Sequence, residues 1–299
     1  MPSIRYYLFR AAMKPLGWSS RRFPADDPDS LVRLRQTAGR IADMFTRPPR
    51  WASVERSTVG NIAGEWVAVA GARSSPVMLF LHGGGLFFPW SNLFRRGLSY
   101  LARYSGLSAF AVDYRLPPEH VYPAAHDDCF AVYQTLVQQG RKVVLVGESS
   151  GGLLALATLL RAKRANLPQP QLCVLLSPVV DCGFKDLRGW EHEAFYVDPR
   201  FTIGIHKHYV AGNDTSIPDL SPVDANLADL APIFSLAGEQ DFARGEVERL
   251  ADAAKRCALE MHYQLWPRAW HGWNLFVPHL PEATEAYKSL GAVIRQHSY

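Results

Sequence analysis

A short glycine- and serine-rich turn is the part of this sequence best suited to chemistry. Residues 147–152 read Gly-Glu-Ser-Ser-Gly-Gly and stand between two apolar runs, at 142–146 and 153–160. This pattern predicts a strand, a sharp turn and a helix, with a serine hydroxyl exposed at the apex. Ser149 has glycines two residues before and two after it, where a Cβ would collide with neighbouring chain, whereas Ser150 would need a glycine at position 148. Ser149 is therefore the candidate nucleophile for attack on a carbonyl carbon.

Such a serine needs two partners, because its hydroxyl is a weak nucleophile near neutral pH: an imidazole that takes the proton and a carboxylate that holds the imidazole. His271 is the candidate base, since it follows a predicted strand at 261–266 and so lies on a loop at a carboxyl end. Asp241, directly after the predicted strand 232–237, is the candidate acid. Glu239 is a close competitor, and Asp181 is a third candidate. The chain order is then serine, acid, histidine.

A glycine run at residues 83–85 is the expected site of oxyanion binding. It follows the predicted strand 77–81, and its backbone N–H groups can approach a substrate oxygen without side-chain obstruction. Gly83 and Gly84 are the expected donors to the oxyanion of a tetrahedral intermediate, together with the N–H of Ser150. His82 is expected to brace this loop through its ring. Losing one such donor slows turnover by about 10²–10³.

The elements that must position these residues alternate along the chain from about residue 65. Strands are predicted at 65–70, 77–81, 108–113, 142–146, 172–176, 232–237 and 261–266. Helices are predicted at 4–13, 29–45, 94–104, 124–139, 149–165, 245–257 and 281–296. The alternation predicts the α/β class, a mainly parallel sheet covered by helices on both faces, with functional residues at the carboxyl ends of its strands.

Two segments fall outside this alternation. Residues 1–50 are rich in arginine and proline, and residues 183–220 form a long, aromatic-rich insertion between two strands. We predict that 1–50 and 183–220 form a helical cap over the active edge of the sheet. The catalytic α/β domain then comprises residues 51–182 and 221–299.

The composition excludes several classes of protein. Hydrophobic residues make up 48% and charged residues 20%, and no apolar run is long enough to cross a membrane, which indicates a soluble globular protein. The net charge of +4 is spread along the chain, which argues against a nucleic-acid partner. Four cysteines without a C-x-x-C pair favour free thiols in a reducing compartment, so we expect a cytoplasmic location. A homodimer stays an open alternative.

These motifs resemble those of the hormone-sensitive lipase-like group of α/β-hydrolases, in particular its bacterial esterase and acetyl-hydrolase members. The resemblance covers about residues 77–297 and rests on the turn around Ser149 and on several further motifs. These are HGGG at 82–85, DYRLPPE at 113–119, YPAA at 122–125, DD at 127–128, SP at 177–178, GEQD at 238–241 and WHGW at 270–273.

The resemblance implies an eight-stranded, mostly parallel sheet with a helical cap, and a serine carboxylesterase that hydrolyses short-acyl esters without a cofactor or metal. It favours Asp241 over Glu239. The chain departs from the group in two places: it has Glu-Ser-Ser in the turn where the group usually has Asp-Ser-Ala, and bulky residues at 86–90. Two other functions stay open, an N-acetyl (amide) hydrolase of a small metabolite and a non-catalytic ligand-binding protein on the same fold.

Aromatic side chains are the candidates for the wall of an apolar pocket for the small-molecule ester, although large aromatic residues more often pack in a core. They are Phe87, Phe88, Trp90, Trp190, Phe195 and Tyr196. A cap and a bulky entrance favour short acyl groups over long chains.

Overall fold

One eight-stranded sheet forms the centre of the protein in the computed structural model, which describes residues 3–20, 27–186 and 199–298. The strands are β1 (Ala52–Val59), β2 (Ile62–Val69), β3 (Arg73–Leu81), β4 (Leu107–Val112), β5 (Val143–Glu148), β6 (Leu172–Leu176), β7 (Ile233–Gly238) and β8 (Met261–Trp266). Across the sheet the strand order is β1-β2-β4-β3-β5-β6-β7-β8; β1 and β2 pair antiparallel with their neighbours, and all other pairs are parallel. The predicted eight-stranded, mostly parallel sheet is confirmed.

Helices pack on both faces of this sheet because the central strands are apolar on both sides. The helices are α1 (Ile4–Ser20), α2 (Pro28–Phe45), α3 (Asn92–Ser105), α4 (Ala124–Gln138), α5 (Ser150–Arg164), α6 (Pro199–Val210), α7 (Arg244–Arg256) and α8 (Pro281–His297). Along β3, Val77, Leu79 and Leu81 point into a core shared with α4, α5 and α7. Met78 and Phe80 point into a second core shared with α3 and α8.

Within the described residues, one strand and one α-helix are not predicted by the sequence pattern. Strand β1 pairs only with β2, at the edge of the sheet, and none of its residues is fully buried. Apolar periodicity, the signal used for strands, is therefore weak there. Helix α6 lies inside the insertion at 183–220, which was predicted only as part of the cap.

Helices α2 and α6, which belong to the two segments predicted to form a cap, contact the loop that follows β3. Leu31 of α2 and Phe201 and Ile205 of α6 form one apolar cluster with Phe87 of that loop. Helix α1 lies elsewhere: its buried Tyr6 packs on the ring of Trp270, at 5.1 Å between centroids, and donates a hydrogen bond to the Arg268 carbonyl. Both N-terminal helices therefore contact loops at the carboxyl ends of the strands.

Two further findings concern the cysteines and the apolar character of the helices. All four cysteines are free thiols; Cys129, Cys173 and Cys182 are buried and Cys257 is half-buried. Over the described ranges, no helix combines the length and apolar character that crossing a bilayer requires.

Candidate active site

Ser149 occupies a strained turn between β5 and α5. Its backbone adopts φ 51° and ψ −120°, a conformation that costs a residue with a side chain about 1–3 kcal/mol. A Cβ at Gly147 would overlap the carbonyl oxygen of Gly151, and a Cβ at Gly151 would overlap that of Leu81. The two glycines that selected Ser149 over Ser150 from the sequence are thus required by close backbone contacts.

Ser149, His271 and Asp241 form one hydrogen-bonded row at the carboxyl ends of β5, β7 and β8. The Ser149 Oγ lies 2.8 Å from His271 Nε2, and His271 Nδ1 lies 2.9 Å from Asp241 Oδ1. With a proton on Nδ1, the imidazole donates to Asp241 and its Nε2 can accept the serine proton. These are the distances that a nucleophile, a general base and an orienting carboxylate require.

The two competing carboxylates have other partners. Glu239 accepts a hydrogen bond from the Arg268 backbone N–H at 3.0 Å. Asp181 accepts from the Ser221 hydroxyl at 2.6 Å and forms an ion pair with Arg249. Of the three carboxylates considered from the sequence, Asp241 is the one that the structure places against His271.

The surroundings of Asp241 keep it ionised. Its burial would raise the pKa, but the charge of His271, the hydrogen bond from that ring and the backbone N–H of Ala243, 2.8 Å from Oδ1, hold the pKa of Asp241 below its ordinary value. The ring of Phe242 stacks on the imidazole at 4.1 Å between centroids. The imidazole is therefore held by a fixed anion and an aromatic face.

The glycine loop after β3 lies directly against the nucleophile. A Cβ at Gly83 would stand 3.0 Å from Ser149 Cβ, and Gly84 has a φ of +105° that side chains rarely adopt. The Gly84 carbonyl accepts backbone hydrogen bonds from Phe87 at 3.1 Å and Phe88 at 2.8 Å, which fold the loop back on itself. The backbone of this loop can approach a substrate oxygen beside Ser149.

His82 braces this loop from the core. It is fully buried, its Nδ1 lies 2.8 Å from the Gly83 carbonyl oxygen, and its ring stacks on Tyr114 at 4.2 Å between centroids. The Tyr114 hydroxyl donates to the His82 carbonyl at 2.7 Å. Burial lowers the pKa of His82 to about 4, so the ring is neutral near pH 7. Neutral and bonded to the backbone, it fixes the glycine loop in place.

Ser150, where the resembling group usually has alanine, fastens the glycine loop to the nucleophile turn. Its Oγ accepts a hydrogen bond from the backbone N–H of buried Leu86 at 3.0 Å. We expect Ser150→Ala to lower the free energy of unfolding by about 1–3 kcal/mol, because the Leu86 N–H is left buried without its acceptor. Chemical denaturation of both proteins measures the difference.

The matched control for that prediction is Ser99→Ala. The Ser99 hydroxyl donates to the Arg95 carbonyl within its own helix, at 2.7 Å, so its removal strands no donor. Its effect is expected to stay below about 1 kcal/mol. Equal losses for the two variants would contradict the role given to Ser150.

Comparison with known proteins identifies the family. A sequence profile of the α/β-hydrolase fold matches residues 78–275, well over half of the chain. The chain belongs to the α/β-hydrolase family. An acetyl-hydrolase of Streptomyces hygroscopicus is 31% identical over 243 residues, 80% of this chain and 81% of that protein. An esterase of Acinetobacter venetianus is 29% identical over 94% of this chain and 93% of its own.

A solved structure supports the same placement within the α/β-hydrolases. The crystal structure of an esterase from the bacterial hormone-sensitive lipase family superposes with a TM-score of 0.87 at 27% identity, covering 97% of this chain and 98% of that one. The predicted membership of the hormone-sensitive lipase-like esterases, a group of carboxylic ester hydrolases, is therefore confirmed.

The aromatic residues proposed for the pocket of this α/β-hydrolase lie in different places. Phe87 and Phe88 pack against the cap helices α2 and α6, next to the glycine loop. Trp90 lies instead in the core beneath the loop, where its indole N–H donates to Glu65 at 2.7 Å and its ring stacks on Phe94. Trp190, Phe195 and Tyr196 lie outside the described residues.

Several residues at this site carried no sequence signal strong enough to select them. Phe242 stacks on His271, and Asn274 donates a hydrogen bond to Glu148 beside the nucleophile. Phe242 follows Asp241, Glu148 precedes Ser149, and Asn274 comes three residues after His271. This closeness in the sequence is the signal available, because the contacts themselves depend on the fold. Among the described residues, no group of His, Cys, Asp or Glu is arranged to hold a metal ion.

Proposed function

We propose that this α/β-hydrolase is a serine carboxylesterase that hydrolyses short-chain acyl esters through a covalent acyl-enzyme. The observation that carries the proposal is the row from Ser149 Oγ to His271 Nε2 and from His271 Nδ1 to Asp241, at 2.8 and 2.9 Å. It stands at a strained turn with the glycine loop beside it. A non-catalytic binding protein would have no need to keep three such groups in bonding distance.

In the first half-reaction the serine oxygen attacks the ester carbonyl. As the bond from Ser149 Oγ to carbon forms, the hydroxyl proton passes to His271 Nε2, and Asp241 stabilises the imidazolium. The carbonyl oxygen becomes an oxyanion, which the N–H groups of Gly83, Gly84 and Ser150 bind. His271 then gives its proton to the leaving alcohol, and the acyl group stays on Ser149.

In the second half-reaction water takes the place of the alcohol. His271 accepts a proton from the water as its oxygen attacks the acyl carbon, and the same donors bind the second oxyanion. Collapse of this intermediate returns the proton to Ser149 Oγ and releases the carboxylic acid. The cycle uses the chain's own side chains and backbone N–H groups together with water.

The preference for short acyl groups rests on how closely the cap presses on the glycine loop. A Cβ at Gly85 would overlap the side chain of Ile205 on α6, and Phe88 contacts Phe87 and Phe201 across the same region. A long acyl chain leaving Ser149 on this side would have to displace packed aromatic rings. The acetyl-hydrolase name of one relative agrees with a small acyl group.

The test is a series of p-nitrophenyl esters from acetate through butyrate and octanoate to palmitate. We expect kcat/KM to be highest for acetate or butyrate and to fall by about tenfold or more at octanoate, since each methylene rejected by a packed wall is worth about 1–3 kcal/mol. A preference for palmitate would contradict the short-chain proposal. Faster turnover of the matching p-nitroanilides would favour the amide hydrolase instead.

The variant Phe88→Ala tests whether the Phe88 ring limits the length of the acyl chain. We expect this variant to recover much of the octanoate activity, because it removes the ring that lies between the loop and α6. Phe130→Ala is the matched control: this half-buried phenylalanine of α4 packs against the large core and is not part of the apolar cluster that contains Phe87 and Phe88. If both variants leave the chain-length profile unchanged, Phe88 does not limit the acyl group.

A further inference from the structure

A buried carboxyl group lies directly behind the nucleophile and is not used by the mechanism above. Glu148, the last residue of β5, precedes Ser149 and is buried. Its Oε1 accepts a hydrogen bond from Asn274 Nδ2 at 2.9 Å. Asn274 lies in the short 3₁₀ helix Trp273–Phe276, three residues after His271. This bond therefore joins the two chain segments that carry the nucleophile and its base.

Two atoms of this pair are left without a partner in the described residues: Glu148 Oε2 and Asn274 Oδ1. Both are buried, and both can only accept hydrogen bonds if Glu148 is ionised. An orphaned buried acceptor costs about 1–3 kcal/mol. A single proton on Glu148 Oε2, donated to Asn274 Oδ1, would satisfy both atoms and close a ring of two hydrogen bonds between the carboxyl and the amide.

The groups around the pair favour the neutral acid. Tyr287 of α8 has its hydroxyl 3.4 Å from Asn274 Nδ2, and its own pKa is raised by burial, so it is neutral. Arg96 of α3 donates to the Leu275 carbonyl at 3.0 Å instead of pairing with a carboxylate in the described residues. The hydrogen bond from Asn274 and the charge of His271 act against burial, but burial prevails and raises the pKa of Glu148 to about 7.

We propose that Glu148 is a positioning residue, which as a neutral carboxylic acid forms a two-bond ring with Asn274 and thereby holds the Ser149 turn against the loop of His271. The proposal rests on the proposed esterase function for its kinetic readout. It concerns a place where the chain departs from the resembling group, which usually has aspartate at this position. An aspartate is one methylene shorter and would not span the same distance to Asn274.

The variants Glu148→Gln and Glu148→Leu distinguish the effect of the two hydrogen bonds to Asn274 from the effect of the carboxyl group's charge. A glutamine amide can accept from Asn274 Nδ2 and donate to its Oδ1, so it rebuilds both bonds, and we expect kcat within about twofold of wild type at pH 6. Leucine makes neither bond. We expect it to lower kcat by about 10- to 100-fold with little change in KM, because small misplacements of reacting groups cost that much.

The pH dependence of kcat distinguishes the proposed role from packing alone, because a residue that only packs would not change it. Above pH 7 the ionising carboxyl of wild type loses the proton that closes the ring, so its kcat should fall by up to about tenfold for each pH unit. Glu148→Gln has no such proton to lose, and its kcat should stay level. The kcat of Glu148→Gln divided by that of wild type should therefore be near one at pH 6 and should rise as the pH is raised.

Glu246→Gln is the matched control. Glu246 is another buried carboxyl, with a pKa raised by burial to about 8, but the hydrogen bond it accepts comes from the Val180 backbone N–H and not from Asn274 or a member of the catalytic row. We expect this variant to follow the wild-type pH profile. Asn274→Leu should lose as much kcat as Glu148→Leu, and the double variant should lose no more than either, because the two residues act as one pair.

Infrared difference spectra test the proton without relying on activity. Wild type minus Glu148→Gln should show the C=O stretch of a protonated carboxyl at pH 6, and this band should decline as the pH is raised above 7. A difference spectrum without that band, a tenfold loss of kcat in Glu148→Gln at pH 6, or a ratio that is flat with pH would each overturn the proposal. Absence of ester hydrolysis by wild type would instead contradict the proposed function, and the spectra would still decide the state of Glu148.

Discussion

Replacing Ser149 with alanine is expected to lower kcat on p-nitrophenyl acetate by about 10⁶, with KM nearly unchanged. The reason is that Ser149 Oγ, 2.8 Å from His271 Nε2, is the atom that forms the bond to the acyl carbon in the proposed cycle. Alanine keeps the backbone of the turn and the donors around it, so binding persists while the covalent step is lost. Steady-state kinetics with freshly purified protein measure both constants.

Ser150→Ala provides the comparison, since it removes a hydroxyl from the neighbouring residue of the same turn. Its backbone N–H, the proposed oxyanion donor, is retained, and the lost acceptor for Leu86 should reduce kcat by less than about tenfold. An organophosphonate that labels the active serine should modify Ser149 in wild type and nothing in Ser149→Ala. A loss of less than about tenfold in Ser149→Ala, or a label on Ser150, would move the nucleophile elsewhere.

The architecture could be predicted wherever strands are buried on both faces. Strands β5 and β6 and the second half of β3 are almost continuously apolar, so the sequence pattern finds them. The polar first residues of β3, from Arg73, lie before the predicted start at 77 because they carry no apolar signal. Strand β1 has charged residues in its centre and a single partner strand, so it depends on pairing with β2 more than on burial. Pairing of this kind is a tertiary property that a local pattern cannot reveal.

The residues of the candidate site also differ in whether the sequence alone could select them. Ser149 and the glycine loop could be chosen because each follows an apolar strand and is marked by glycines that close backbone contacts require. His271 could be chosen from its place on a loop directly after a predicted strand. The choice of Asp241 over Glu239 needed either the family resemblance or the coordinates, since the two carboxyls are two residues apart. The position of Trp90 in the loop predicts a place in the pocket. Its indole N–H instead donates a hydrogen bond to Glu65 of β2, a strand distant in the sequence, and the ring lies in the core.

Replacing Asp241 with asparagine is expected to lower kcat by about 10⁴ while the protein stays folded. The carboxylate accepts hydrogen bonds from His271 Nδ1 and from the Ala243 N–H, and these contacts keep its pKa below the ordinary value, so it is an anion throughout the neutral range. An asparagine amide can turn its NH₂ towards Nδ1. The imidazole then carries its proton on Nε2, where it can no longer accept the proton of Ser149.

The control for this variant is Glu239→Gln, which alters the competing carboxyl of the same loop. Glu239 accepts only a backbone N–H from Arg268 among the hydrogen bonds described for it, and the loop that carries it is the same one that carries Asp241. We expect Glu239→Gln to keep kcat within about threefold of wild type, because a glutamine oxygen still accepts that bond. A larger loss of kcat in Glu239→Gln than in Asp241→Asn would contradict the prediction. The hydrogen bond between His271 Nδ1 and Asp241 Oδ1, at 2.9 Å, would then not be the one that orients the base during turnover. Since both substitutions remove one negative charge from one loop, a difference of orders of magnitude between them isolates the hydrogen bond to His271 from the general field of the site.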